Sequence, residues 1–113
     1  MKVEKGIHNG VRVLSFSGEV DLHTAPEMKE AIYQTLEEGA RDIILDLGGI
    51  SFMDSSGLGV LVGTLKRVRS AGGSVCLICC RESVLKVLRL TGLDQVFTIY
   101  PSLEEYEPPA QAG

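Results

Sequence analysis

The densest set of reactive side chains lies in Gly48-Gly49-Ile50-Ser51-Phe52-Met53-Asp54-Ser55-Ser56-Gly57-Leu58-Gly59, where a carboxylate and two adjacent hydroxyls precede an apolar helical stripe. This reads as a strand-to-helix loop that opens onto a helix N-terminus. Free backbone N–H groups and the positive end of the helix dipole favour an anion there, and Gly57 and Gly59 leave the approach unobstructed. A phosphate on a serine at this spot would add about −1.5 to −2 charges. A plainer reading stands beside it: Asp54 and the serines cap the helix, and the glycines let it pack closely on a sheet. Each glycine inside a helix costs on the order of 1 kcal/mol relative to alanine, so close approach of a partner is a further reason for them.

Other chemistries have weaker support. Ser55 with His23 and Asp21 or Asp46 supplies the atoms of a hydrolase triad, but there is no Gly-x-Ser-x-Gly elbow, and Asp21 and His23 share one short loop. The glycine-rich segment lacks the Gly-Lys-Ser/Thr that cradles nucleotide phosphates. Cys76, Cys79 and Cys80 sit in Ser74-Val75-Cys76-Leu77-Ile78-Cys79-Cys80. On a strand rising about 3.3 Å per residue, Cys76 and Cys79 lie roughly 10 Å apart on opposite faces, beyond disulfide reach. The only histidines, His8 and His23, are remote from them, so the expectation is three buried, reduced thiols, with no metal and no cofactor. The acidic pairs Glu37-Glu38 and Glu104-Glu105 read as solvated surface.

The elements that must position these residues follow from the periodicity. Alternation through Val3 and Lys5, then His8-Asn9-Gly10, then Val11, Val13 and Phe16 predicts a hairpin with a tight two-residue turn. Thr24-Ala25-Pro26-Glu27 reads as a capping box opening a first helix over 25–38, with Ala25, Met28, Ile32 and Leu36 inward and Gly39 as its stop. Asp42 to Leu47 is apolar throughout its middle, so this strand is expected to lie centrally, buried on both faces. A second helix starts near Ser55 or Ser56, with Leu58, Leu61, Val62, Leu65 and Val68 as its stripe, Gly72-Gly73 as its end and Lys66, Arg67 and Arg69 near its negative pole. A strand over 74–79, a third helix over 82–90 closed near Gly92, a short strand over 96–99 and a turn of helix over 102–106 complete the chain. The order β-β-α-β-α-β-α-β predicts a single α/β domain over 1–106, with a flexible tail over 107–113.

The 113 residues suit one domain, and 11 basic against 15 acidic residues give a net charge of −4 that disfavours nucleic acid and anionic lipid. No run approaches the roughly 18 apolar residues of a spanning helix, and the chain reads as cytoplasmic.

Phe52-Met53-Asp54-Ser55-Ser56-Gly57-Leu58-Gly59, preceded by Asp46-Leu47, resembles the signature of anti-sigma factor antagonists of the STAS domain family. Gly18-Glu19-Val20-Asp21 is similar to that family's Gly-Glu-Leu-Asp turn, and Leu90-Thr91-Gly92-Leu93 to its segment after the third helix. The resemblance implies a mixed sheet with an N-terminal hairpin and helices mainly on one face, no enzymatic activity, and partner switching. In that scheme the unmodified protein binds an anti-sigma factor that is also a serine kinase and so frees a sigma factor. Phosphorylation at Ser55 reverses this, and a PP2C-type phosphatase restores the active form. The resemblance also implies partner contacts from Asp21, Asp54, Ser56, Gly57, Leu58 and Val62. A scaffold that binds without phosphorylation, or a stressosome-type interaction module, is the alternative.

Overall fold

A computed structural model describes residues 1–109. Its elements run β1 (Lys2–His8), β2 (Val11–Val20), α1 (Ala25–Glu37), β3 (Asp42–Met53), α2 (Ser55–Ser70), β4 (Ser74–Ile78), α3 (Glu82–Leu90) and β5 (Thr98–Tyr100), with single 3₁₀ turns at Leu93–Gln95 and Leu103–Glu105. The five strands form one sheet in the order β1-β2-β3-β4-β5. β1 and β2 are antiparallel, and every later neighbour is parallel. This is the mixed sheet with an N-terminal hairpin that the pattern predicts. Asn9 at φ 51° and Gly10 at φ 82° form the two-residue turn. Both central residues with positive φ define the mirror-image turn whose twist matches the strands it joins.

β3 lies at the centre, as its composition requires. Ile43, Ile44 and Leu45 are each buried, with Ile43 and Leu45 in the core beneath the helices and Ile44 in a smaller cluster on the other face. The main core joins Leu14, Phe16 and Val20 of β2 to Met28 and Ile32 of α1, Leu61 and Val68 of α2, and Val84 and Leu88 of α3. Each such side chain contributes roughly 1.5–3 kcal/mol on burial. The helices thus cover one face. The opposite face is covered in part by Tyr106 and Leu103, which pack on Val13, Ile44, Cys76 and Ile78.

Several expectations are corrected. Gly48 to Met53 is not loop: β3 runs through to Met53 and pairs with the far end of β2, with ladder irregularities at Ser15/Ser17 and Gly18/Glu19 that absorb the glycines. The Thr24 capping box does not form, because the Thr24 hydroxyl accepts from the Asp21 N–H at 2.9 Å, rather than from an α1 N–H, while donating to the Glu19 carbonyl at 2.7 Å. The buried face of α2 is Gly57, Val60, Leu61, Thr64 and Val68, so Leu58, Val62 and Leu65 sit half-buried on its flank. Thr64 tolerates this burial because its hydroxyl donates to the Val60 carbonyl at 2.8 Å. The last strand starts at Thr98 rather than residue 96, since the 3₁₀ turn at Leu93–Gln95 intervenes. Cys76 and Cys79 are buried on opposite faces as expected, and burial pushes the Cys76 thiol up to about 12. Cys80, by contrast, is exposed, because β4 has already ended at Ile78. Of the expected tail, Glu107 to Pro109 carry no helix or strand, and 110–113 lie outside the described residues.

Gly73 and Gly59 make opposite predictions. A Cβ on Gly73 would stand 1.9 Å from the Arg41 carbonyl oxygen, which is backbone and cannot swing away, whereas a Cβ on Gly59 meets nothing within 4 Å. In urea denaturation Gly73→Ala should lose about 1–3 kcal/mol or more. Gly59→Ala should gain up to about 1 kcal/mol.

Candidate functional site

Because β2 and β3 are parallel neighbours with Val20 opposite Met53, their C-terminal ends emerge side by side. The Asp54 N–H donates to the Val20 carbonyl at 3.1 Å and ties the two exits together. The loop after β2 and the start of α2 therefore form one surface, and the α3 start joins it through the Ser83 hydroxyl, which donates to the Ser51 carbonyl at 3.4 Å.

Asp54 is the N-cap of α2, with extended backbone, and its Oδ1 accepts from the Ser56 N–H at 2.8 Å. Ser55 is the first helical residue and is exposed, while Ser56 is half-buried. Gly57 is buried because the helix sits hard on the sheet: a Cβ there would come within 2.6 Å of Met53 Cγ and 2.7 Å of Val20 Cγ1. The two glycines thus have different causes. Gly57 permits packing, whereas Gly59 is exposed and leaves a bare patch beside Ser55.

Asp21 organises the neighbouring loop. Its Oδ1 accepts from the backbone N–H groups of His23 at 2.9 Å and Thr24 at 3.0 Å, and its carbonyl accepts from Ala25 N–H at 2.8 Å. The Asp21 side chain thus orders the turn before α1, while the helix's own first N–H groups are met by backbone carbonyls, Glu27 N–H donating to the Thr24 carbonyl at 3.0 Å. The Thr24 N–H first, then the His23 N–H and the Thr24 hydroxyl, hold the Asp21 carboxyl below its ordinary value, against a smaller upward push from its own desolvation.

Of the expected site residues, Asp21, Asp54, Ser55, Ser56 and Gly57 meet at this edge, and Leu58 and Val62 continue along the half-buried flank of α2. The triad atoms are not wired together. Asp21 engages backbone N–H groups rather than an imidazole, and Asp46, in the interior of β3 opposite Ser15, accepts from the Gly48 N–H at 2.9 Å. Sequence reasoning missed Leu22, 74% exposed next to Asp21, and gave no role to Phe52, 49% exposed and two residues before Asp54. The only advance signal was an aliphatic residue between Asp21 and His23 in an otherwise polar turn.

Asp21 makes a pH-dependent prediction. A carboxyl whose folded pKa is depressed adds stability that is fully present above its unfolded value and is lost as pH falls through the folded one. Asp21→Asn should therefore melt at a lower temperature than the unaltered protein near neutral pH. The difference should close below the ordinary value of 3.8, as measured by thermal melts across an acid series.

The STAS domain family model matches residues 2–106. The anti-sigma-B factor antagonist of Bacillus subtilis is 38% identical over 91 residues, spanning 80% of this chain and 82% of that protein. The Staphylococcus epidermidis anti-sigma-B factor antagonist is 29% identical over 104 residues, spanning 92% and 96%. The crystal structure of an anti-sigma factor antagonist from Mycobacterium paratuberculosis superposes with a TM-score of 0.85 at 31% identity, covering 92% of this chain and 88% of that one. With the fold, the Asp54-Ser55-Ser56-Gly57 helix start and these relatives in agreement, the chain belongs to the STAS domain family, alongside its anti-sigma factor antagonists.

Proposed function

We propose that this protein is a non-enzymatic anti-sigma factor antagonist of the cytoplasm, switched off by phosphorylation of Ser55. The observation that carries this reading is the placement of one exposed hydroxyl, Ser55, at the first position of α2, flanked by the Asp54 cap and the Asp21 loop. Its relatives named as anti-sigma-B factor antagonists support an anti-sigma factor as the partner; in this proposal that factor is also the serine kinase.

The physics of such a switch is local. Asp54 takes one N–H of the first turn of α2, and the others, with the dipole, can take a phosphate without unfolding the helix. The same phosphate, set among Leu22, Phe52 and the half-buried flank at Leu58 and Val62, opposes a docked partner by desolvation and by repulsion from any acidic group it meets. Gly57 fixes the height of the serine by seating the helix on Met53 and Val20, and Ser56 is held through its N–H by Asp54. Asp21, by shaping its loop, presents Leu22 beside the serine. A PP2C-type phosphatase would remove the phosphate and reset the switch.

The test is intact-mass spectrometry with site mapping after incubation with ATP and the matched anti-sigma kinase, alongside titration of that kinase. One phosphate on Ser55 is expected. Ser55→Asp should bind the kinase at least about tenfold more weakly, about 1.4 kcal/mol, while Ser55→Ala binds as tightly as the unmodified protein. If the two variants bind alike, the protein is a constitutive scaffold rather than a switch.

A further inference from the structure

β1 is the long open edge of the sheet. It has seven residues against three for β5 at the other edge, and no described strand pairs with its outer side. His8 and Val11 close a two-residue turn, and such a closing pair exchanges hydrogen bonds. The alternation of an antiparallel ladder then directs the N–H and C=O groups of Val3, Lys5 and Ile7 outward. On the helix side of β1 stand Val3, packed on the core, Lys5, whose Nζ donates to Gln34 of α1 at 3.1 Å, and Ile7, which is 72% exposed. Lys2, Glu4, Gly6 and His8 face the other side, where His8 meets Tyr106 edge-on.

Gly6 has no local explanation. It lies in a regular stretch of ladder without a bulge, its φ is not positive, and a Cβ there would meet nothing within 4 Å. A glycine inside a strand weakens it, and one recognised reason for its presence is the close approach of another backbone.

A strand that pairs with its own copy about a two-fold axis must oppose residues of the same face, which leaves few registers. Centring the axis on Glu4 or Lys5 sets like charges directly opposite one another. Centring it on Val3 leaves Ile7 uncovered, and centring it on Ile7 pairs little more than the end of the strand. With the axis at Gly6, Glu4 faces His8 of the second copy, Lys5 lays its aliphatic stem over the exposed Ile7, and no lysine faces a lysine. We propose that β1 is a self-association edge, pairing antiparallel with β1 of a second copy about a two-fold axis at Gly6 and joining the two sheets into one. The strand's Gly6–His8 end lies at the opposite end of the β2 ladder from Val20, so both Ser55 surfaces stay free. A contact of one strand pair falls below the roughly 1,200 Å² of stable complexes, so the dimer forms at high concentration.

Sedimentation equilibrium from micromolar to millimolar protein tests this. The apparent mass should rise from 12.2 kDa toward twice that value. Lys5→Pro removes an outward N–H that the hairpin itself does not use and should stay monomeric, and Glu4→Lys removes the carboxylate that faces His8 of the second copy and should associate more weakly than the parent, with circular dichroism and melting showing that each is folded. The charge-swapped pair Glu4→Lys with His8→Glu should restore association. A mass that stays at the monomer value throughout, a Lys5→Pro variant that dimerises as the parent does, or a folded double variant that remains monomeric while the parent dimerises would overturn the pairing or its register.

Discussion

The parallel pairing of β2 with β3 is the constraint on which the rest of the molecule depends. It places Val20 opposite Met53 and so brings together two chain exits that are more than thirty residues apart in sequence. The Asp54 N–H to Val20 carbonyl bond then locks the start of α2 to the end of β2. α2 can approach closely only because Gly57 lacks a side chain between Met53 and Val20. Parallel pairing also requires a crossover, and α1 supplies it, returning the chain across the helix-bearing face. Remove that one strand contact and the Asp21-Leu22 loop no longer shares a surface with Phe52 and Ser55.

The two faces of the sheet are used differently. Beneath the helices lies the large apolar core, and the helix seam is tightened by Tyr33, whose ring lies 4.5 Å from the Arg67 guanidinium and 5.3 Å from the Lys29 ammonium. On the far face a smaller cluster forms where the chain returns after β5, with Tyr100 and Tyr106 packed edge-on at 5.8 Å between centroids. A partial cover of this kind leaves β1 accessible and keeps Cys76 dry. The thiols at Cys76 and Cys79, both raised in pKa by burial, behave as small apolar side chains rather than nucleophiles.

At the helix start two local motifs divide the labour. Asp54 caps α2 through its side chain, and Asp21 pins its own loop through three successive backbone N–H groups, two to its carboxylate and one to its carbonyl. Both are short carboxylates placed directly after a strand, where the backbone leaves N–H groups that no ladder satisfies. The surface they frame has its backbone hydrogen-bonded in place, yet it carries exposed apolar side chains at Leu22 and Phe52, the combination expected of a protein-contacting edge.

The sequence alone determined the element order, the Asn9-Gly10 hairpin, the double-sided burial of β3 and the position of Ser55 at a helix start, because each is written in local periodicity, turn chemistry or capping within a few residues. Only the tertiary structure decided the rest. Glycines at 48 and 49 read as loop, yet the neighbouring β2 extends β3 through them by supplying a ladder. Thr24 and Glu27 matched a capping box, yet the Asp21 N–H and the Glu19 carbonyl claimed the hydroxyl. The buried stripe of α2 turned toward Gly57 and Thr64 because contact with Met53 and Val20 fixed the rotation of the helix, which periodicity among Leu58, Leu61, Val62 and Leu65 left undetermined. The Leu22 loop came to the same edge as Ser55 only through strand pairing. Local sequence fixes what a segment can form; partners distant in the chain decide which of its hydrogen bonds and faces are used.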